Sequence, residues 1–130
     1  MTVGLSAANL ANKFLDMLGG TAFTAPTSVF VKLHTADPGS AGATAASANT
    51  TRVVVAWAAA SAGSKAANGT APAWASWASG SETISHISLW DASTAGNFLA
   101  SAALTASKAV ANGDTLTLST LTVAFTPIAA

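Results

Sequence analysis

The stretch Thr83–Leu104, TISHISLWDASTAGNFLASAAL, decides how the chain is read. It holds a histidine, an aspartate, a tryptophan and several hydroxyls, which are the raw materials of catalysis. It also has the pattern of a β-hairpin. Ser85, Ile87 and Leu89 fall on one face of an alternating strand, and Ile84, His86, Ser88 and Trp90 on the other. DASTAGN has turn composition: Asp91, Ser93 and Thr94 carry side chains able to satisfy turn backbone groups, and Gly96 offers positive φ. FLASAAL returns as the second strand.

Strand patterns recur on both sides of this hairpin. In SVFVKLHT, Val29, Val31 and Leu33 alternate with Phe30, Lys32 and His34, until Asp37–Gly39 breaks the run. TRVVVAW puts Val53, Val55 and Trp57 on one face. AWASWA reads as a short strand whose Trp74 and Trp77, an odd number apart, face opposite sides. TLTLSTLTVAFTP alternates at Leu116 and Leu118, then at Leu121, Val123 and Phe125. The slip near Ser119–Thr120 marks a bulge or a short connection. SAGATAASANTT (40–51) and SAGSKAANGTAP (61–72) read as loops, the second with an Asn68–Gly69 turn signal.

One helix precedes the strands. Residues 6–18 carry apolar side chains at Ala7, Leu10, Ala11, Phe14 and Leu18, with Ser6 as N-cap and Gly19–Gly20 as the stop. Such a stripe needs a surface to lie on, within the chain or on a neighbour. The expected architecture is mainly β: an antiparallel β-sandwich, jelly-roll or Ig-like, with one N-terminal α-helix. It occupies a single domain, 1–130, with the helix at 6–18 and about seven strands over 27–127. The helix is expected to cap one end or cover an edge.

The 130 residues suit one domain, and the composition limits what it can do. Only 8% are charged, and five basic residues balance five acidic ones. No net field attracts nucleic acid or an anionic membrane, so neither is expected as a partner. So little charge does little to keep copies apart, which points to assembly, the alternative being a monomer coated in Ser, Thr, Asn and Ala. The absence of cysteine removes disulfides and thiolate chemistry. No segment is long and apolar enough to span a bilayer, and the N-terminus lacks the basic start and apolar run of a signal peptide.

The candidates for chemistry fail on spacing. His34 and His86 are the only histidines, on different strands and without HxH or HExxH spacing, so no metal site is expected. His86 and Asp91 are five apart, on opposite faces of a regular strand, and no GxSxG elbow presents a serine. Glu82 and Asp91 bracket one strand at about 30 Å, too far for paired-carboxylate catalysis. The expectation is no enzyme and no cofactor. Trp57 and Trp90 read as core. One of Trp74 and Trp77 is expected to face outward or into an interface, as a contact residue or a platform for a sugar ring. Phe14, Leu18, Trp74 and Trp77 are therefore the candidate interface residues.

VFVKLHTADPGSAG, ETISHISLWDASTAGNFLASAAL and the ending GDTLTLSTLTVAFTPIAA, together with the ANLANKFLDMLGG helix, resemble a family of small tailed-bacteriophage virion proteins. Such proteins are labelled tail fibre or minor structural proteins and are common in phages of actinobacteria. LHTADPG and SLWDASTAGNFL carry most of the resemblance. It implies a non-enzymatic virion component, assembled in the host cytoplasm and bound to other virion proteins, major capsid or tail. It brings no catalytic residues. No heptads and no repeat suggest a fibre shaft. The expectation is therefore a capsid decoration or minor capsid protein in many copies, a homo-oligomer with a trimer among its forms. A tail fibre or minor tail protein, and a carbohydrate-binding module, are the alternatives.

Overall fold

The computed structural model describes residues 3–125. Its main sheet has five strands in the order β1 (Gly4–Leu5), β7 (Phe98–Val110), β6 (Glu82–Trp90), β2 (Val29–His34), β3 (Val53–Val55), and all pairs are antiparallel. Two ribbons supply the rest: β4 (Ser64–Ala66) with β9 (Thr122–Ala124), and β5 (Ala73–Trp74) with β8 (Leu116–Thr117). The protein is mainly β with a short N-terminal helix, as the alternation of the sequence implies. Residues 126 and 127, the end of the expected sandwich, lie outside the described residues.

The hairpin of Thr83–Leu104 is the centre of the sheet. β6 pairs with β7 on one side and β2 on the other, and Val31 lies opposite Leu89 and Leu33 opposite Ile87. These four join Val55, Ala100, the ribbon residues Trp74 and Leu116, and the adjoining Trp77, Leu118 and Leu121 in one core cluster. Each fully buried large side chain contributes about 1.5–3 kcal/mol of transfer free energy. Face alternation along β6 is not continuous. The ladder slips between Ile84 and His86, so Ile84 joins the same core as Ile87 and Leu89 despite its parity with His86.

The short AWASWA strand is not regular. Ser76 has φ +51°, which ends β5 after Trp74 and reverses the expected alternation. Trp74 and Trp77 are 3% and 1% exposed. Their indole N–H groups donate to the carbonyls of Thr51 (2.8 Å) and Gly80 (3.0 Å). Neither faces outward, which corrects their assignment as interface residues.

Both expected loops are more ordered than their composition suggests. Within 61–72, β4 pairs with β9 and also closes a hairpin, in which Ser61 and Ser64 exchange backbone hydrogen bonds. In 40–51, Ser47 N–H donates to Leu33 and Thr35 N–H to Ala45, so this segment straps the end of β2. The slip near Ser119 is the connection from β8 to β9.

The helix is also less regular than its stripe. Ser6 caps it, its hydroxyl accepting from Asn9 N–H. The first turn, Ala7–Ala11, is π-helical, with Ala11 N–H reaching Ser6 O, and α1 proper runs Asn12–Leu18. It stops in a Schellman motif: Thr21 N–H reaches Asp16 O, Gly20 N–H reaches Met17 O, and Gly20 takes φ +88°. The wide turn breaks the 3.6 period, so the expected single stripe divides. Leu10 packs against the core, Phe14 is half-buried, and Leu18 is 81% exposed.

Candidate functional site

Two regions hold the residues that the sequence marks out: the polar face of the main sheet, and the outer face of α1. On the polar face, His34 of β2 and His86 of β6 sit directly opposite each other. Their sequence separation hides this pairing, which the antiparallel register creates. His34 is fully buried. Its Nδ1 lies 2.9 Å from Thr44 O, which can only accept, so Nδ1 carries the proton. Its Nε2 lies 2.7 Å from Ser88 Oγ, and Trp90 Nε1–H donates to the same Oγ at 2.8 Å. The chain of donors therefore runs Trp90 to Ser88 to His34 to Thr44, with every group satisfied. Burial holds the His34 pKa below the ordinary imidazole value, with the neighbouring Lys32 charge adding to the effect against the Thr44 hydrogen bond.

His86 makes a shorter chain of the same kind. Ser85 Oγ donates to Thr35 O at 2.8 Å, which leaves it to accept from His86 Nδ1 at 2.8 Å. The imidazole donates to the serine, the reverse of what activating a nucleophile requires. Among the described residues, no three His, Cys, Asp or Glu side chains come together as metal ligands. No helix among them is long and apolar enough to cross a membrane.

Asp91 organises the hairpin turn. Its carboxylate accepts from Asn97 N–H at 2.6 Å and Asn97 Nδ2 at 2.7 Å, and these bonds hold its pKa below the usual carboxylate value. Arg52 closes the turn from outside, its Nη1 donating to Ala92 O (2.9 Å) and Ala95 O (2.7 Å). The guanidinium lies 3.9 Å from the Trp90 ring centroid, with Lys32 Nζ at 5.8 Å. Burial, then the Arg52 charge, lowers the Lys32 pKa. Asp91, Asn97 and Arg52, not Ser93 or Thr94, tie the turn.

Glu82 and Asp114 line an open cleft of about 360 Å³ with Ser81, Thr83 and Val110. The Glu82 carboxylate is engaged by Ser47 Oγ and by Ala48 N–H, and Asp114 accepts from Ala111 N–H. Both carboxylates hold loops in place.

The outer face of α1 differs in character. Leu15, Met17 and Leu18 are 65%, 50% and 81% exposed, and Phe125 beyond β9 is 56% exposed. Phe14 joins them, with its ring 5.8 Å from Phe125 and 5.4 Å from Phe23. Of the four candidate interface residues, the structure brings Phe14 and Leu18 together here and buries Trp74 and Trp77 elsewhere. Leu15, Met17 and Phe125 escape a sequence reading that assigns one apolar stripe to the helix and treats Phe125 as strand alternation.

A family model described as Podophage GP4 fiber I protein gp80 matches residues 5–126. The chain belongs to this family. The match takes in the helix, every strand from β2 to β9 and the Thr83–Leu104 hairpin. Membership makes the chain a structural component of a bacteriophage virion. No curated protein matches it.

Proposed function

We propose that this chain is a non-enzymatic building block of a phage tail fibre or of its attachment to the tail, held to other virion proteins by apolar contact. The observation that carries the reading is the match of residues 5–126 to a fibre protein family. That description favours the tail over the capsid decoration role expected from the compact, shaftless sequence, and tail fibre becomes the leading reading. The fold supports a node over a shaft: one five-stranded sheet with two short ribbons and a short helix, with no repeat along the sequence. The low charge and the exposed apolar end of the helix support contact with protein over contact with nucleic acid. The carbohydrate-binding alternative loses the residues assigned to it, because Trp74 and Trp77 are buried.

Immunogold electron microscopy of purified virions tests the assignment. Label on the fibres or at their junction with the tail is the expected outcome. Label spread over the capsid would restore the decoration reading, and absence from the particle would overturn both.

A further inference from the structure

We propose that Asn68 is a spontaneous modification site, where the folded chain converts a side-chain amide to aspartate or isoaspartate, while Asn112 of the same local sequence is protected by the fold. Of the six asparagines, only Asn68 and Asn112 precede a glycine. Glycine has no Cβ, so its backbone nitrogen can approach the preceding side chain closely. The Gly69 nitrogen attacks Asn68 Cγ and a new C–N bond forms. The bond from Cγ to Nδ2 breaks, and ammonia leaves with the proton given up by Gly69. The five-membered imide then takes up one water. Opening at Cγ gives aspartate, and opening at the main-chain carbonyl gives isoaspartate. Water is the only co-reactant.

Exposure does not separate the two sites, because Asn68 and Asn112 are both exposed. Hydrogen bonding does. At Asn112 both reacting groups are held: Oδ1 accepts from Gly80 N–H at 2.8 Å, and Gly113 N–H donates to Trp77 O at 2.7 Å. Trp77 N–H in turn donates to Asp114 O, and Asp114 N–H to Ala111 O. Trp77 is 1% exposed, so the turn is anchored to the core. Reaction there requires Asn112 to leave Gly80 and Gly113 to leave Trp77 in one local opening.

Asn68 has no such restraint. Its own N–H is fixed to Ala56 O at 2.8 Å, which ends the ordered stretch that follows β4. Among the described residues, no hydrogen bond engages the Asn68 side chain or Gly69 N–H. Gly69 and Thr70 are exposed, and a Cβ added at Gly69 would meet nothing within 4 Å, so water and the moving side chain have room. Breaking two hydrogen bonds makes Asn112 slower than Asn68 by about tenfold or more. Each conversion adds one negative charge to a chain whose formal net charge is zero.

Tryptic peptide mass spectrometry of the full chain, incubated at pH 8 and 37 °C both folded and unfolded in guanidinium, tests the proposal. Cleavage after Lys65 and Lys108 places Asn68 in the peptide Ala66–Lys108 and Asn112 in a separate one beginning at Ala109. In the folded chain, Ala66–Lys108 should gain the mass of an amide turned to an acid. Fragment ions should place the gain at Asn68 and not at Asn97, and isoaspartate methyltransferase should label it. The Asn112 peptide should lag by about tenfold or more when folded and catch up in guanidinium. Asn68→Gln should abolish the gain in the first peptide. Folded chain that reacts at Asn112 as fast as at Asn68 overturns the proposal, as does a folded Asn68 that stays intact while the unfolded chain reacts.

Discussion

Ser88→Ala is a single-atom test of the buried polar chain beneath the main sheet. Ser88 is fully buried, and its hydroxyl both accepts from Trp90 Nε1–H and donates to His34 Nε2. Alanine fits the space but removes both bonds. Trp90 keeps an indole N–H without an acceptor, and His34 keeps a buried lone pair without a donor. Leaving a buried polar group unpaired costs about 1–3 kcal/mol. Two such groups, less the desolvation cost that the lost hydroxyl no longer incurs, give about 3 kcal/mol. With a urea m-value of about 2 kcal/mol/M, the unfolding midpoint falls by about 1.5 M. His34→Leu removes the other end of the pair, and a double-mutant cycle with Ser88→Ala should show a coupling of at least about 1 kcal/mol. A Ser88→Ala cost below about 0.5 kcal/mol, with no coupling to His34, would refute the directed chain and the tautomer assigned to His34.

Four further outcomes follow from the same structure. Gly96→Ala should destabilise by more than about 2 kcal/mol in urea titrations: Gly96 has φ +73°, and an added Cβ would lie 2.5 Å from Asp91 Oδ1 and 2.7 Å from Ala92 Cβ. Ala62→Gly should stabilise by about 0.5–1 kcal/mol, because Ala62 holds φ +47° at an exposed hairpin tip; the melting temperature should rise by about 3 °C in calorimetry. Trp77→Ala should cost about 3–5 kcal/mol and leave any glycan-array signal unaltered in pattern, since the ring lies within the core. Because the folded-state pKa of His34 is depressed, the unfolded chain takes up the proton first, so stability is full above the ordinary imidazole pKa of about 6.5 and is lost as pH falls below it. Thermal melts between pH 8 and 5 should show this decline in wild type and a shallower one in His34→Leu.

The hairpin was legible because its signals are local. Alternation over Thr83–Trp90, Asp91 at the turn and Gly96 at positive φ all rest on residues within a few positions of one another. The misreadings come from backbone conformation and from distance. Nothing in AWASWA shows that Ser76, a residue with no glycine's freedom, takes φ +51°; that single angle moves a tryptophan from the surface to the core. The alanine-rich loop at 40–51 has no strand pattern, yet the Thr44, Ala45 and Ser47 backbone groups are what the far end of β2 needs to satisfy itself. The pairing of His34 with His86 depends on register between strands more than fifty residues apart, which periodicity within either strand does not encode.

These observations separate the two places where function was sought. The hairpin groups that most suggested chemistry are engaged by neighbours: Ser88 by His34 of β2, Asp91 by Asn97, and Ser85 by Thr35 and His86. Such a network makes the sheet specific and rigid, and its protons are already committed to neighbours. The outer face of α1 is the reverse. Among the described residues it is built of exposed apolar side chains, Leu15, Met17, Leu18 and Phe125. For a member of a fibre protein family the hairpin and its sheet are then the frame of the fold. Substitutions in the hairpin should therefore fail as loss of folding, whereas polar substitutions at Leu15 or Leu18, 65% and 81% exposed, should leave thermal melts unchanged.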